Sequence, residues 1–151
     1  MALLNSKFDT PRGYPNGSAL AEPFAIKKTG SPLAPVALAQ GKLVTQETQN
    51  GATVMDLATT PNLGAADPID VWLVVEGNDD YSGEYVEKIM AVKPLSGVIW
   101  ETDDFATDTY PAGTPLTFDG GQLKKKTAND QLIGHVLHDF IATKGTIWVS
   151  S

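Results

Sequence analysis

Short apolar runs separated by glycine, asparagine, aspartate or proline recur along the chain from about residue 36 onward. They follow one another every 10–15 residues or so, a spacing typical of all-β sandwiches and small barrels. No apolar pattern is sustained over three helical turns, although Val86–Val92 could form one short helix. The predicted strands are Val36–Leu38, Lys42–Thr48, Ala52–Leu57, Ile69–Glu76, Tyr85–Val92, Val98–Thr102, Pro115–Phe118, Gln122–Lys125, Leu132–Leu137 and Thr146–Val149. The predicted fold class is therefore all-β, with a small β-barrel or sandwich as the body.

Three local signals refine this β prediction. Ile69–Glu76 is almost continuously apolar, which indicates a strand that is buried on both faces. Asp119-Gly120-Gly121 separates two apolar runs and predicts a tight hairpin, because glycine supplies the positive φ that such turns require. Gly134 lies within a predicted strand and indicates either a bulge or the close approach of another backbone.

Residues 1–35 have a different residue pattern, which predicts a mostly irregular, extended N-terminal arm. Prolines and glycines interrupt every periodicity, apart from a possible short strand at Phe24–Lys28. Ordering about 30 residues costs roughly 30 kcal/mol or more, which requires on the order of 1,000 Å² of apolar burial. Such an arm must lie on its own body, on a neighbouring subunit or on a partner, or remain disordered until it binds. The predicted organisation is thus an arm at 1–35 and a body at 36–151.

The arm carries large apolar side chains that a solvated linker does not need. Strand addition to an exposed sheet edge is the natural binding mode for an extended segment, with apolar side chains filling pockets. The residues predicted to contact a partner are Leu3, Leu4, Phe8, Arg12, Tyr14, Leu20 and Phe24.

Charge narrows the range of partners. The net charge is −7, and because residues 1–35 carry +2, the body carries −9. Residues 67–108 alone hold eleven acids and two lysines. An acidic body argues against nucleic acid as a partner, since phosphate binding requires clustered basic residues. Lys124-Lys125-Lys126 is the one basic cluster, and it is predicted to guard an edge strand.

Compartment and membrane association are constrained by what the sequence lacks. It has no cysteine, which excludes disulfides and thiolate chemistry and permits a reducing compartment. It has no run of 18 apolar residues, so no transmembrane helix and no membrane partner are predicted. The first residues do not have the pattern of a signal peptide.

Catalytic and metal-binding patterns are weak. His135 and His138 are three residues apart on a predicted strand, so they should point to opposite faces and not form a zinc pair. Ser82, His135 and Asp139 are the residue types of a catalytic triad, but no nucleophile elbow accompanies them, so a triad is not predicted. We therefore predict no enzyme, no catalytic, cofactor-binding or metal-binding residues, and no cofactor.

The acidic stretch Glu76–Glu87 is the best candidate for a site within the body. Four of its residues and a turn glycine match the first part of a calcium loop, but the closing position 12 is Ile89, which has no carboxylate. The matching residues are Asn78, Asp80, Ser82, Gly83 and Glu84. The sequence leaves open whether this stretch binds a cation.

Part of the same stretch, Asp79–Glu84, resembles a motif of trimeric all-β dUTPases, in which an acid orients water and a tyrosine packs on deoxyribose. The resemblance implies a nucleotide-hydrolysing enzyme. However, the chain has neither the phosphate-binding motif of that family at the expected place nor its glycine-rich C-terminal arm. A dUTPase-like enzyme is thus a second alternative.

A broader resemblance covers Tyr110–Leu137 together with the arm. Tyr110–Leu116, Thr117–Leu123 and Leu132–Leu137 are similar to successive strands of the small β-barrel proteins that decorate tailed-phage capsids. The proline-rich arm is similar to the arms with which those proteins clasp the shell. The long acidic middle of this chain departs from that family.

This resemblance implies a cement protein that binds the outer surface of a phage capsid and bridges neighbouring capsomers against the pressure of packed DNA. It implies the major capsid protein as partner, a homo-oligomer with a trimer favoured over a dimer, synthesis in the host cytoplasm and a final location on the virion. The alternative is a carbohydrate- or receptor-binding β module of a virion tail or cell surface. Its candidate stacking residues are Trp72, Trp100 and Trp148, although their apolar surroundings favour core positions.

Overall fold

A computed structural model describes residues 22–78, 87–94, 97–140 and 145–151. These residues are organised almost entirely as β-strands, which confirms the all-β prediction. The strands are β1 (Glu22–Ala25), β2 (Lys28–Thr29), β3 (Ala34–Pro35), β4 (Leu43–Gln49), β5 (Ala52–Leu57), β6 (Trp72–Glu76), β7 (Lys88–Val92), β8 (Ile99–Thr102), β9 (Pro115–Asp119), β10 (Gln122–Lys125), β11 (Gly134–Val136) and β12 (Ile147–Ser150).

Two five-stranded antiparallel sheets make up the described body. The first has the order β1-β7-β6-β4-β5 and the second β10-β9-β11-β12-β8, while β2 and β3 form a separate ribbon. Two-residue turns close the hairpins β4–β5 and β9–β10. Their central residues, Asn50-Gly51 and Gly120-Gly121, all have positive φ, so the predicted Asp-Gly-Gly hairpin is confirmed.

Each sheet is bridged where its two terminal strands approach one another. Ile26, directly after β1, forms a parallel bridge with Met55 in β5, and the amide of Lys27 donates to the Met55 carbonyl at 3.0 Å. In the second sheet, Phe105 follows β8 and forms a parallel bridge with Leu123 in β10. Both sheets therefore curl, and backbone covers parts of the edges that unpaired strands would otherwise expose.

The core lies on both faces of the first sheet. Along β6, Leu73 and Val75 belong to a cluster shared with the second sheet, whereas Val74 belongs to a second cluster on the opposite face. The prediction that the run Ile69–Glu76 is buried on both sides is confirmed, although its strand begins at Trp72. The residues of the second cluster that are buried are Ile26, Leu38, Val44, Met55, Val74, Ile89 and Ala91.

Backbone hydrogen bonds fix the two sheets to one another at the β9–β10 hairpin. Gly121 accepts from the amide of Leu43 and donates to the carbonyl of Ala58, each at 2.8 Å. A second link lies outside the hairpin, where the hydroxyl of Thr102 in β8 donates to the carbonyl of Gly41 at 2.8 Å. The hairpin and β8 thus both join the second sheet to the first.

Candidate partner-binding surface

Most of the predicted partner-contacting residues fall outside the described part of the chain. These are Leu3, Leu4, Phe8, Arg12, Tyr14 and Leu20. The seventh, Phe24, lies in β1 and packs edge-on against Trp72, with ring centroids 4.9 Å apart. Phe24 is therefore part of the body surface, and the segment that remains a candidate arm is residues 1–21.

Residues 22–38, here called the strap, cover the outer face of the first sheet. β1 pairs with β7, Ile26 and Leu38 are buried in the second core cluster, and Phe24 and Val36 pack against it. The region from 22 to 35 was assigned to the arm by its prolines and glycines. The structure places it on its own body, one of the three positions that the entropy argument allowed.

Asn78 holds the end of the strap. Its side chain is buried, its Oδ1 accepts from the amide of Leu38 at 2.7 Å, and its Nδ2 donates to the carbonyl of Val36 at 2.9 Å. Asn78 is also the first of the residues that match the beginning of a calcium loop in the sequence. Its amide oxygen is committed to the backbone here, so it has a structural role that the sequence pattern did not reveal. Residues 79–86 of that loop lie outside the described residues.

An ion-pair cluster fixes the middle of the strap. The Lys27 ammonium lies 2.6 Å from Glu47 Oε1 and 3.1 Å from Asp56 Oδ2, on the two strands of the β4–β5 hairpin. Hydrogen bonds to Glu47 and Asp56 raise the pKa of Lys27 above its ordinary value. The raised pKa means that this pairing stabilises the fold at neutral pH and is lost only as pH rises through the pKa of the folded protein.

A groove of about 200 Å³ opens where β6 begins and β7 ends, and polar atoms make up more of its lining than apolar atoms. Its apolar residues are Ile69, Val71, Pro94, Leu132 and Ile133. This volume is below the roughly 300–1,000 Å³ of typical small-molecule pockets and suits one side chain better. The predicted strand Leu132–Leu137 begins only at Gly134, which leaves Leu132 in the preceding loop with 47% of its surface exposed.

Polar side chains give this groove a fixed shape. Gln131 Oε1 accepts from the amide of Ile69 at 2.8 Å, and its Nε2 donates to the carbonyl of the same residue at 2.7 Å. At the rim, Lys93 Nζ lies 2.8 Å from Asp70 Oδ1. The Gln131 amide therefore sets the separation of the two loops that form the groove.

Six of the described lysines are paired with acids across strands and loops. The pairs are Lys27 with Glu47 and Asp56, Lys28 with Glu87, Lys42 with Asp104, Lys93 with Asp70, Lys124 with Asp119, and Lys125 with Asp108. Lys124 and Lys125 lie on β10, the terminal strand of its sheet, so the predicted position of this cluster is confirmed. Its pairing with acids makes it a poor phosphate-binding site.

Residues considered for catalysis are not assembled into a site by the described structure. His135 and His138 are exposed, Asp139 Oδ1 accepts from the amide of Ala112 at 2.7 Å, and Ser82 lies outside the described residues. Across the described ranges, no three histidine, aspartate or glutamate side chains are grouped so as to hold a metal ion. Nor does any helix among those residues have the length and apolar character required to cross a membrane.

The three tryptophans occupy different environments. Trp100 is only 1% exposed, and its Nε1 donates to Ser151 Oγ at 2.6 Å, so it is a core residue as predicted. Trp72 and Trp148 are half-buried. Trp72 contacts the Phe24 ring, and Lys93 Nζ lies 5.9 Å from its ring centroid. Its exposed part is thus bordered by the strap and by the rim of the groove.

Tyr110 anchors the loop that bridges the second sheet. Its side chain is fully buried, it stacks edge-on with Phe105, and its hydroxyl donates to the carbonyl of Ala106. Burial, together with the nearby charge of Asp108, raises the pKa of Tyr110 to about 12. The neutral Tyr110 hydroxyl makes its full contribution to the free energy of unfolding below pH 10.0, the ordinary pKa. This contribution is lost as pH rises through about 12.

We expect alkaline titration to show that the pKa of Tyr110 is higher than that of an ordinary tyrosine. The tyrosinate absorbance of the intact protein minus that of Tyr110→Phe should rise with a midpoint near pH 12, not near 10.0. Phenylalanine keeps the ring, so the difference isolates one hydroxyl. A difference curve with its midpoint near the ordinary value would contradict the burial of this hydroxyl.

Comparisons with known proteins found no match to a family model, to a curated protein or to a solved structure.

Proposed function

We propose that this chain is a structural protein of a phage virion that binds the outer surface of the capsid and bridges neighbouring capsomers. The observation that supports this most is the position of the segments that resemble capsid decoration proteins. They supply β9, β10 and β11, which are adjacent in the order β10-β9-β11. The segments that carry the resemblance therefore form three adjacent strands of one sheet.

The packing of the body supports a load-transmitting role. Its two sheets share a core, are joined by backbone hydrogen bonds and are bridged at their terminal strands. A body of this kind transmits force between its contacts with little deformation, because closely packed interiors have low compressibility. Residues 1–21 supply an additional contact, and the partner that we propose is the major capsid protein.

In this proposal the large side chains of residues 1–21 fill pockets on the shell, as in peptide strand addition. The arm prolines reduce the entropy that is lost on docking. A trimer at threefold or quasi-threefold axes is the favoured assembly, and a dimer at twofold axes is the alternative. The protein is made in the host cytoplasm and ends on the outside of the virion.

Binding to empty shells tests the proposal. The shells are assembled from the major capsid protein that is encoded in the same genome as this chain, and bound protein is measured by co-sedimentation. The intact protein should bind saturably. The triple variant Leu3→Ser, Leu4→Ser and Phe8→Ser should bind at least about tenfold more weakly, because apolar anchors dominate such interfaces.

A matched control changes three polar arm residues, Asn5→Ser, Thr10→Ser and Asn16→Ser, and should bind like the intact protein. If the intact protein does not sediment with shells, the proposed function is wrong. If it does so but the apolar triple variant binds equally well, the capsid role stands and the role of the arm is wrong.

A further inference from the structure

We propose that the groove end of the body, defined by Leu63, Ile69, Pro94, Leu132 and Ile133, is a second contact surface for the same partner protein that residues 1–21 bind. This inference rests on the proposed function, and it adds which face of the body meets the partner. It also specifies the chemistry of the contact, which is an apolar side chain of the partner with basic neighbours.

The chain enters β1 from the groove end of the body. Glu22 is paired with Ala91, and β1 runs antiparallel to β7. The N-terminal end of β1 therefore points along β7 towards Lys93 and Pro94, which lie only two and three residues beyond Ala91 and line the groove. At about 3.3 Å per residue, Pro94 is roughly 10 Å along the strand from Ala91. Residues 1–21 are thus joined to the body at this end, and a partner that they bind is tethered within the roughly 70 Å that 21 extended residues can span.

The groove end also exposes large apolar side chains. Among the described residues, the exposed large apolar side chains are Leu33, Leu63 and Leu132, and two of these three belong to the groove end. The loops that carry them are joined, because the amide of Leu63 donates to the carbonyl of Asn129 at 2.8 Å and the amide of Gln131 donates to Thr60 Oγ1, also at 2.8 Å. A fixed apolar surface beside a groove of side-chain size is a typical anchor site of a protein interface.

Charged side chains lie around the groove. Asp67 and Asp70 are exposed on the loop that leads into β6, and Lys93 is paired with Asp70 at 2.8 Å. Because Lys93 offsets the charge of Asp70, the net negative charge at this end comes from Asp67, which favours an anchor with a lysine or arginine beside it over an acidic partner face.

The test measures shell binding by Leu132→Glu and Leu63→Glu, with Leu33→Glu as the matched control. Leu33 is 63% exposed and lies in the turn between β2 and β3, away from the groove. All three changes introduce the same charge at an exposed leucine, and circular dichroism and thermal unfolding show whether each variant is folded. The shells are those assembled from the major capsid protein of the same genome.

We expect Leu132→Glu to weaken binding at least about tenfold, Leu63→Glu to weaken it less, and Leu33→Glu to bind within about twofold of the intact protein. If both groove variants are folded and bind like the control, the inference is wrong while the role of residues 1–21 stands. If they change only self-association in analytical ultracentrifugation, the groove binds a second copy and the inference is also wrong. Failure of the intact protein to bind shells identifies failure of the proposed function instead.

Discussion

Replacing Ile26 by alanine should lower the free energy of unfolding by about 2–4 kcal/mol, although this residue lies in a segment whose sequence predicts an irregular arm. Ile26 is 3% exposed and is packed in the second core cluster. Its backbone bridges Met55, so neighbouring groups cannot easily close the cavity that alanine leaves. Urea denaturation of the full-length protein measures the change.

Two controls connect this effect to the strap. Leu33→Ala, at a residue that is 63% exposed, should change stability by less than about 0.5 kcal/mol. Removal of residues 1–21 leaves every described strand in place, so it should lower the unfolding midpoint less than removal of residues 1–35. Removal of residues 1–35 deletes β1, Ile26 and the Lys27 ion pairs, and it should produce a protein that fails to unfold cooperatively. Equal effects of Ile26→Ala and Leu33→Ala would show that the strap does not stabilise the body.

The strap also shows where sequence patterns fail. β1 contains Pro23, and a proline normally argues against a strand because it cannot donate a backbone hydrogen bond. β1 is the terminal strand of its sheet and pairs with β7 on one side only, so Pro23 can direct its nitrogen to the unpaired side. The predicted strand Phe24–Lys28 detected this region, but the chain divides it into β1 and β2 around the bridge at Ile26.

Local sequence patterns predicted a strand correctly where the residues next to it determine its bounds. Ala52–Leu57 was predicted with the bounds that the structure has, because the adjacent Asn50-Gly51 fixes the turn. Val36–Leu38 was wrong as a strand, since its polar groups are satisfied partly by the side chain of Asn78, which is 40 residues or more away. A contact over that distance leaves no periodic signal in the sequence.

The groove could not have been predicted from the sequence either, because its residues are also far apart along the chain. Ile69, Pro94 and Leu132 come from three separate segments, and each looks like an ordinary strand-flanking apolar residue. The sequence shows that residues 67–108 are rich in acids, but it does not show where they lie relative to the groove. Partner contacts were therefore assigned only to the arm, where apolar residues without periodicity are visible in the sequence itself.

Gly134→Ala should be among the most destabilising single-methyl additions to this protein, at about 3 kcal/mol. A Cβ at this position would lie 2.6 Å from Val149 Cγ1 and 2.7 Å from the carbonyl oxygen of Ser150. The second contact is with backbone, so a rotamer change cannot relieve it, and β11 would have to move away from β12. The close approach that was predicted from a glycine within a strand is confirmed.

The matched control for this substitution is Gly64→Ala. A Cβ there would lie 3.1 Å from Asn62 Oδ1 and 3.3 Å from Asn129 Nδ2, which are the ends of side chains and can shift. We expect a change of less than about 1 kcal/mol for the control. Because β11 pairs with β9 and β12, Gly134→Ala should also accelerate hydrogen exchange at His135 and Val136, whereas exchange in β6 should change much less. A Gly134→Ala protein as stable as the control, with unchanged exchange in β11, would mean that β11 and β12 are not packed as closely as the structure has them.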